Sequence, residues 1–290
     1  MSKQATRYQW HGQPTSEMVQ SYQDEGYLLV ENFASPQECD ALLARTKHLI
    51  DDFDPQAHRV IFSADGQSHA ATDYFMKSAS NISFFFEKGA MDDDGNMQKD
   101  KHLAVNKVGH ALHDKDKIFH DFSRQPKIEA LAKAIGFEDP KLLQSMVICK
   151  QPEIGGEVTG HQDSTFLYTE PQSCVGFWLA LEDATIENGC MWGAPAGHHA
   201  PLQSRFVRRD GEMVMEQLTQ TELPACDVAL PAPKGTLILL HGRLPHTSPP
   251  NLSARSRYAY ALHMIDGTAF YPKSNWLQRA DDFPLTGFEG

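Results

Sequence analysis

The chain has 290 residues, with 26 Lys and Arg against 38 Asp and Glu, a formal net charge of −12 and a sequence pI of about 5.6. Hydrophobic residues make up 41%, enough for a sizeable core, and no dense Lys/Arg cluster offers a face to nucleic acid or anionic membrane. Cys39, Cys149, Cys174, Cys190 and Cys226 are odd in number and scattered with no CxxC, which argues against a disulfide framework or a zinc ribbon and for reduced thiols. The first 13 residues are polar with no apolar signal region, and no run of 18 apolar residues exists, so a cytoplasmic protein without a membrane span is expected.

Pro14 and Thr15 open a helical stretch through Asp24, and Gly26 stops it. Residues 27–30 read as a buried strand. Ser35-Pro36-Gln37-Glu38 is a capping box with proline at the first helical position. Behind it Cys39, Leu42, Leu43, Leu49 and Ile50 share one helical face, which should pack on a sheet. Residues 54–125 give weaker signals: 83–87 is aromatic-rich and reads as a strand, and 92–96 (Asp-Asp-Asp-Gly-Asn) reads as a turn, because it lacks the offsets of a calcium loop. A second helix spans 127–137. From Lys141 onward the texture is strand and turn, with strands at 142–150, 175–181, 236–241 and 258–265. Helices first and short strands later predict one mainly-β domain over residues 1–290, an antiparallel jelly roll buttressed by helices on one outer face.

His161-Gln162-Asp163 carries the chemistry. Residues i and i+2 of a strand share a face, so an imidazole and a carboxylate can address one metal ion. His246, 83 residues later and just past the 236–241 strand, supplies a third ligand. Two histidines and one carboxylate leave open positions, which suits Fe(II) oxygen chemistry; structural zinc sites are closed. Arg257 follows His246 by 11 residues, and its guanidinium can grip a carboxylate through two parallel hydrogen bonds. Arg255 shares the same alternation, and spacing leaves both open. Ser248 can add a hydroxyl donor.

Together these residues resemble the phytanoyl-CoA dioxygenase family. The resemblance covers nearly the whole chain. It extends to Thr72-Asp73-Tyr74-Phe75, residues 84–89, Asn106-Lys107, 109–113, 144–146, 166–171, 182–185 and 187–190. It implies a double-stranded β-helix core, Fe(II) held by His161, Asp163 and His246, and 2-oxoglutarate as co-substrate, with O2 as oxidant and ascorbate as supporting reductant. It selects Arg257 over Arg255 and adds Lys107, Met146, Gln162, Trp178 and Ser248 to the co-substrate pocket. It implies that oxidative decarboxylation of 2-oxoglutarate to succinate and CO2 is coupled to hydroxylation of a small-molecule or acyl substrate. Related halogenases lack the carboxylate, so Asp163 points to hydroxylation. One departure is Gly193-Ala194-Pro195-Ala196-Gly197-His198, where relatives carry a bulky residue before Pro-Gly-Ser-His; it bears on the shape of the substrate pocket.

Each residue also has a plainer reading. Lys107 can be a surface lysine, Met146 and Trp178 can be core, Ser248 can shape a turn, and Gln162 points away from Asp163 in a regular strand. His110, His113, His198, His199, His241 and His263 read as non-ligands, the last two as core or strand-end histidines. The competing functions are a cupin-like metal hydrolase or isomerase and a non-enzymatic 2-oxoglutarate or metal sensor.

Overall fold

The computed structural model describes residues 5–54, 73–87, 89–90, 97–210 and 212–289. The turn expected at 92–96, and Thr72, lie outside them. In chain order the strands are β1 (Arg7–Gln9), β2 (Tyr27–Glu31), β3 (Ile82–Phe86), β4 (Val105–His110), β5 (Pro140–Lys150), β6 (Val158–His161) and β7 (Val175–Ala180). They continue as β8 (Met191–Gly193), β9 (Ser204–Arg209), β10 (Glu212–Gln217), β11 (Val228–Leu230), β12 (Leu237–His241), β13 (His246–Ser248) and β14 (Arg257–Asp266). The helices are α1 (Ser16–Glu25), α2 (Pro36–Asp52), α3 (Asp73–Lys77), α4 (Lys101–Ala104), α5 (Leu112–Lys115), α6 (Lys117–Ser123) and α7 (Pro126–Ala134).

Local chemistry sets the helix ends where the sequence predicts. The Thr15 side chain caps α1, and Gly26 ends it at φ 78, a left-handed position glycine adopts without penalty. At α2 the Ser35 hydroxyl accepts from the Glu38 amide at 3.2 Å, and the Glu38 carboxylate accepts from the Ser35 amide at 2.7 Å. The helix expected over 127–137 ends earlier, at Ala134, with Ile135 closing the last turn through its amide.

The strands form an eight-stranded sheet in the order β1-β2-β12-β7-β14-β5-β4-β3, a four-stranded sheet β11-β8-β13-β6, and a separate β9-β10 hairpin. This is the jelly-roll architecture. The large sheet is covered on both faces, and alternation along its strands sorts the two cores. On β14, Tyr258, Tyr260, Leu262 and Met264 face the helices together with Phe177 and Leu179 of β7 and Leu237 and Leu239 of β12. They meet Met18 and Tyr22 of α1, Cys39, Leu42 and Ile50 of α2, Phe119 of α6 and Leu131 of α7. Each fully buried large side chain contributes about 1.5–3 kcal/mol there. The intervening residues Trp178, Ala180, Ile238, Leu240, Ala259 and Ala261 face the small sheet, against Met191, Val228 and Leu230. Burial on both faces is why these strands read as unbroken apolar runs. A third cluster, with Phe75, Phe85, Leu167, Phe206 and Trp276, closes one end of the space between the sheets. Among the described residues no helix is long and apolar enough to cross a membrane.

Candidate active site

β6 and β13 are antiparallel neighbours in the small sheet, and His161 and His246 are direct partners across them. The two imidazoles therefore sit side by side, with ring centroids 4.3 Å apart. Asp163 does not lie in the strand, as the alternation argument assumed. β6 stops at His161, and Asp163 opens a 3-10 turn whose amides Phe166 and Leu167 both donate to the Asp163 carbonyl at 3.0 Å. Gln162 between them keeps an extended backbone, φ −116 and ψ 129. One extended residue suffices to return Asp163 to the His161 side.

The ligand atoms of His161, Asp163 and His246 all lie within 4.8 Å of one another. Asp163 Oδ1 is 3.5 Å from His161 Nε2 and 3.7 Å from His246 Nε2. Each histidine fixes its other nitrogen locally: His161 Nδ1 donates to the Thr159 carbonyl at 2.8 Å, and His246 Nδ1 donates to the Leu244 carbonyl at 3.0 Å. Those bonds set the tautomer and leave both Nε2 lone pairs facing Asp163, the orientation a metal ligand needs. Burial pushes His246 down to about 4, against the pull of Asp163, so its imidazole is neutral at physiological pH. Burial alone would raise the Asp163 carboxyl, but the imidazoles of His246, His263 and His161 outweigh it and hold the group well below the usual carboxylate range. Two neutral-capable imidazoles, one carboxylate anion and a buried setting match the donor set for a divalent first-row ion.

Arg257 begins β14 and is 1% exposed. Its Nη2 donates to Ser248 Oγ at 3.2 Å, while Nε and Nη1 are buried with no hydrogen-bond partner among the described residues. Burial lowers its guanidinium only to about 10, so it stays charged. Arg255 sits exposed in the preceding bend, and Arg257 rather than Arg255 lines the cavity. Ser248 is fully buried and passes its own hydroxyl proton to the Gly189 carbonyl at 2.8 Å, so it anchors the guanidinium. Trp178 stands with its ring 5.3 Å from Arg257 Cζ, and its buried Nε1 has no hydrogen-bond partner among the described residues. Met146 and Lys107 line the same cavity of about 450 Å³. Lys107 is no surface residue: it is 8% exposed, its ammonium lies 5.3 Å from the Phe85 ring, and burial lowers it to about 7. Gln162 also touches the cavity, yet its amide is engaged elsewhere, donating to the Arg243 carbonyl at 2.8 Å and accepting from the Gln203 amide at 2.9 Å. It ties loops together.

Two residues escaped the sequence reading. His263, taken as a core histidine, places Nε2 3.3 Å from Asp163 Oδ2. The signal was present: Arg257, Ala259, Ala261 and His263 alternate along one strand and share the inward face. Lys150 is 2% exposed and gives its ammonium to the carbonyls of Gly156 at 2.8 Å, Ser248 at 3.2 Å and Pro249. Nothing in its local sequence announces that role. Conversely, the departing segment 193–198 is not among the cavity-lining residues. His198 packs against Gly26 and against His241 at the end of β12, away from the cavity lining. Asn251, in a formal glycosylation sequon, is fully buried and bonded to the Lys150 and Arg255 carbonyls.

The sequence profile of the family described as Phytanoyl-CoA dioxygenase (PhyH) matches residues 22–259. The chain is 43% identical over 270 residues to "Phytanoyl-CoA dioxygenase" of Arabidopsis thaliana, covering 93% of this chain and 95% of the relative. It is 42% identical over 283 residues to "Phytanoyl-CoA dioxygenase domain-containing protein 1" of Danio rerio, covering 93% and 97%. Among solved structures, the epimerase SnoN in complex with Fe3+, alpha ketoglutarate and nogalamycin RO superposes with a TM-score of 0.60 at 18% identity, covering 93% of this chain and 97% of that one. With residues 22–259 matched and two-fifths of positions shared with such relatives, the chain belongs to the phytanoyl-CoA dioxygenase family and is an oxidoreductase of the dioxygenase class.

Proposed function

We propose that this chain, acting as a single domain over residues 1–290, is an Fe(II)- and 2-oxoglutarate-dependent dioxygenase. It couples oxidative decarboxylation of 2-oxoglutarate to succinate and CO2 with hydroxylation of an organic substrate. The observation that carries the reading is one cavity holding two things: three metal-ligand atoms within 4.8 Å of one another, and a buried Arg257 with two nitrogens that have no hydrogen-bond partner among the described residues. That SnoN holds Fe3+ and alpha ketoglutarate on the same fold supports it.

His161 Nε2, His246 Nε2 and Asp163 Oδ1 would hold the iron. When bound there, iron supplies O2 activation and the oxidising power of the reaction. Arg257 supplies a charged fork for the far carboxylate of 2-oxoglutarate, and Ser248 keeps that fork in plane. The Trp178 indole N–H is a further donor beside Arg257, and the Lys107 ammonium is a donor elsewhere on the same cavity wall. Trp178, Met146, Ile148 and Met191 wall the pocket with apolar surface, excluding water from the carboxylate pairing and strengthening it. O2 as co-substrate and ascorbate as supporting reductant belong to the same proposal.

On the other side of the metal the wall is aromatic. Phe166 lies 6.1 Å from the His161 ring and 5.8 Å from Phe206, and Phe75 stacks on Trp276 at 4.5 Å. This supports a small-molecule or acyl substrate whose reacting carbon sits in apolar surroundings, and neither nucleic acid nor membrane as partner, in keeping with the net charge of −12. Five unpaired cysteines, four of them buried, support a cytoplasmic setting. The test is succinate production from 2-oxoglutarate with Fe(II) and ascorbate and no added prime substrate. Iron-dependent succinate that disappears in Asp163→Ala supports the reading. Absence of both succinate and 2-oxoglutarate binding overturns it in favour of a cupin-like hydrolase or isomerase, and 2-oxoglutarate binding with no turnover on any substrate favours a sensor.

A further inference from the structure

His263 lies on β14, opposite Gly176 of β7, with its side chain on the metal side of the large sheet. Asp163 sits over that pair, and its two oxygens face different neighbours. Oδ1 points to the two histidine Nε2 atoms; Oδ2 points to His263 Nε2 at 3.3 Å. Gly176 makes this possible. Its backbone is ordinary, so the absence of a side chain serves space alone: a Cβ there would stand 3.1 Å from Asp163 Oδ2 and 3.5 Å from the His263 ring. Among the described residues Oδ2 and His263 Nδ1 are both buried with no hydrogen bond, and the His263 imidazole edge stands against the distal oxygen. With Nδ1 unpartnered, the tautomer that carries its proton on Nε2 places an N–H beside the carboxylate.

From this we infer that His263 is a positioning residue for the metal centre: it holds the distal oxygen of Asp163, so that the carboxylate offers the metal one oxygen, Oδ1, and cannot swing to chelate through two. The inference rests on the proposed metal site. One-oxygen ligation conserves an open position on the metal, which the co-substrate and O2 both require. An outer partner that fixes a ligand's orientation also raises metal affinity, and removing such a partner weakens binding about 10–100-fold. Gly176 and His263 together form a slot that fits the carboxylate in one rotation.

The experiment compares wild type, His263→Leu and His263→Gln by anaerobic titration with Mn(II) or Fe(II), reading the metal dissociation constant, with the melting temperature of the metal-free protein measured alongside. The expected result is a loss of affinity of about 10–100-fold in His263→Leu with little change in the metal-free melting temperature, and recovery to within a few-fold in His263→Gln, whose amide N–H can reach Oδ2. A merely structural role would lower the melting temperature and would not be rescued by an amide. Should the leucine variant fail to fold, His263→Asn, whose shorter amide stops short of Asp163, is compared with His263→Gln in its place. Affinity in His263→Leu within twofold of wild type overturns the inference. A wild-type protein that binds neither ion overturns the metal site itself, and the two failures are thereby distinguished.

Discussion

Replacing Arg257 with methionine separates binding from stability. The side chain is 1% exposed, and its one hydrogen bond among the described residues goes to Ser248, which keeps its own bond to Gly189 when the guanidinium is removed. Nε and Nη1 have no partner to lose among the described residues. Methionine is flexible and fills the apolar part of the site beside Trp178. The metal-free, co-substrate-free protein should therefore melt within about 2 °C of wild type. Co-substrate binding should collapse. Two charge-assisted hydrogen bonds at about 1.5–3 kcal/mol each amount to about 3–6 kcal/mol, a weakening of at least about 100-fold. A concentration of 2-oxoglutarate 100 times the wild-type dissociation constant stabilises wild type by about 2.7 kcal/mol, but a variant weakened 100-fold by only about 0.4 kcal/mol. In melting temperature that is a rise of about 5–10 °C against about 1 °C. Arg257→Lys keeps the charge but loses the fork and should fall between the two. The assay is a thermal melt with and without 2-oxoglutarate in the presence of Mn(II), backed by calorimetric titration. An Arg257→Met protein that keeps the full 2-oxoglutarate-dependent rise would refute the reasoning.

Gly176→Ala should weaken Mn(II) or Fe(II) binding by about tenfold or more, because the new methyl stands 3.1 Å from Asp163 Oδ2; equal affinity in a metal titration would show that the carboxylate has room to move. Lys150→Met leaves the Gly156, Ser248 and Pro249 carbonyls short of a donor, and denaturant unfolding should report a loss of about 2–4 kcal/mol. For pH dependence, Glu38 is the cleanest group. Partial burial alone would raise its carboxyl, but Lys127 and the Ser35 amide outweigh it and lower the group from the ordinary 4.5 to about 2. Its contribution to stability is thus fully present above pH 4.5 and is lost as pH falls toward 2. Glu38→Gln should lower stability at pH 7 and flatten the acid limb of the stability curve between pH 4.5 and 2; an acid limb parallel to that of wild type speaks against this assignment.

The legible parts of the fold were those where local rules and burial agree. The capping box at Ser35, the glycine stop at Gly26 and the unbroken runs of β7 and β12 each carry their own signal, because caps are local and strands buried on both faces leave no polar interruption. The small sheet was not legible. β8, β11 and β13 are three residues each, shorter than one hydrophobic period can declare, and exist because the large sheet offers them a partner surface. The β9–β10 hairpin, with its Arg205, Arg208 and Arg209, has too polar a pattern to stand out as strand. At the site, His161, Asp163 and His246 could be named as candidates because ligand chemistry restricts residue type and spacing, and Arg257 could be preferred to Arg255 through the family resemblance. His263 and Lys150 could not be named, since an outer partner needs only a donor at the right place in space. Gln162 shows the two readings side by side: the resemblance puts it in the co-substrate pocket and strand alternation turns its side chain away, and it lines the cavity while its amide bonds the Arg243 carbonyl and the Gln203 amide.

The central claim, that one cavity holds Fe(II) on His161, Asp163 and His246 and 2-oxoglutarate on Arg257, is tested most directly by an anaerobic co-titration. Fe(II) and then 2-oxoglutarate are added to wild type, Asp163→Ala and Arg257→Met, and the visible charge-transfer absorption that a 2-oxo acid chelated to Fe(II) produces is followed. The account predicts a saturable band in wild type at one iron per chain. It predicts no band in Asp163→Ala, and a band in Arg257→Met that needs at least about 100-fold more 2-oxoglutarate. A band of wild-type strength and affinity in Asp163→Ala, or none in wild type, would contradict it.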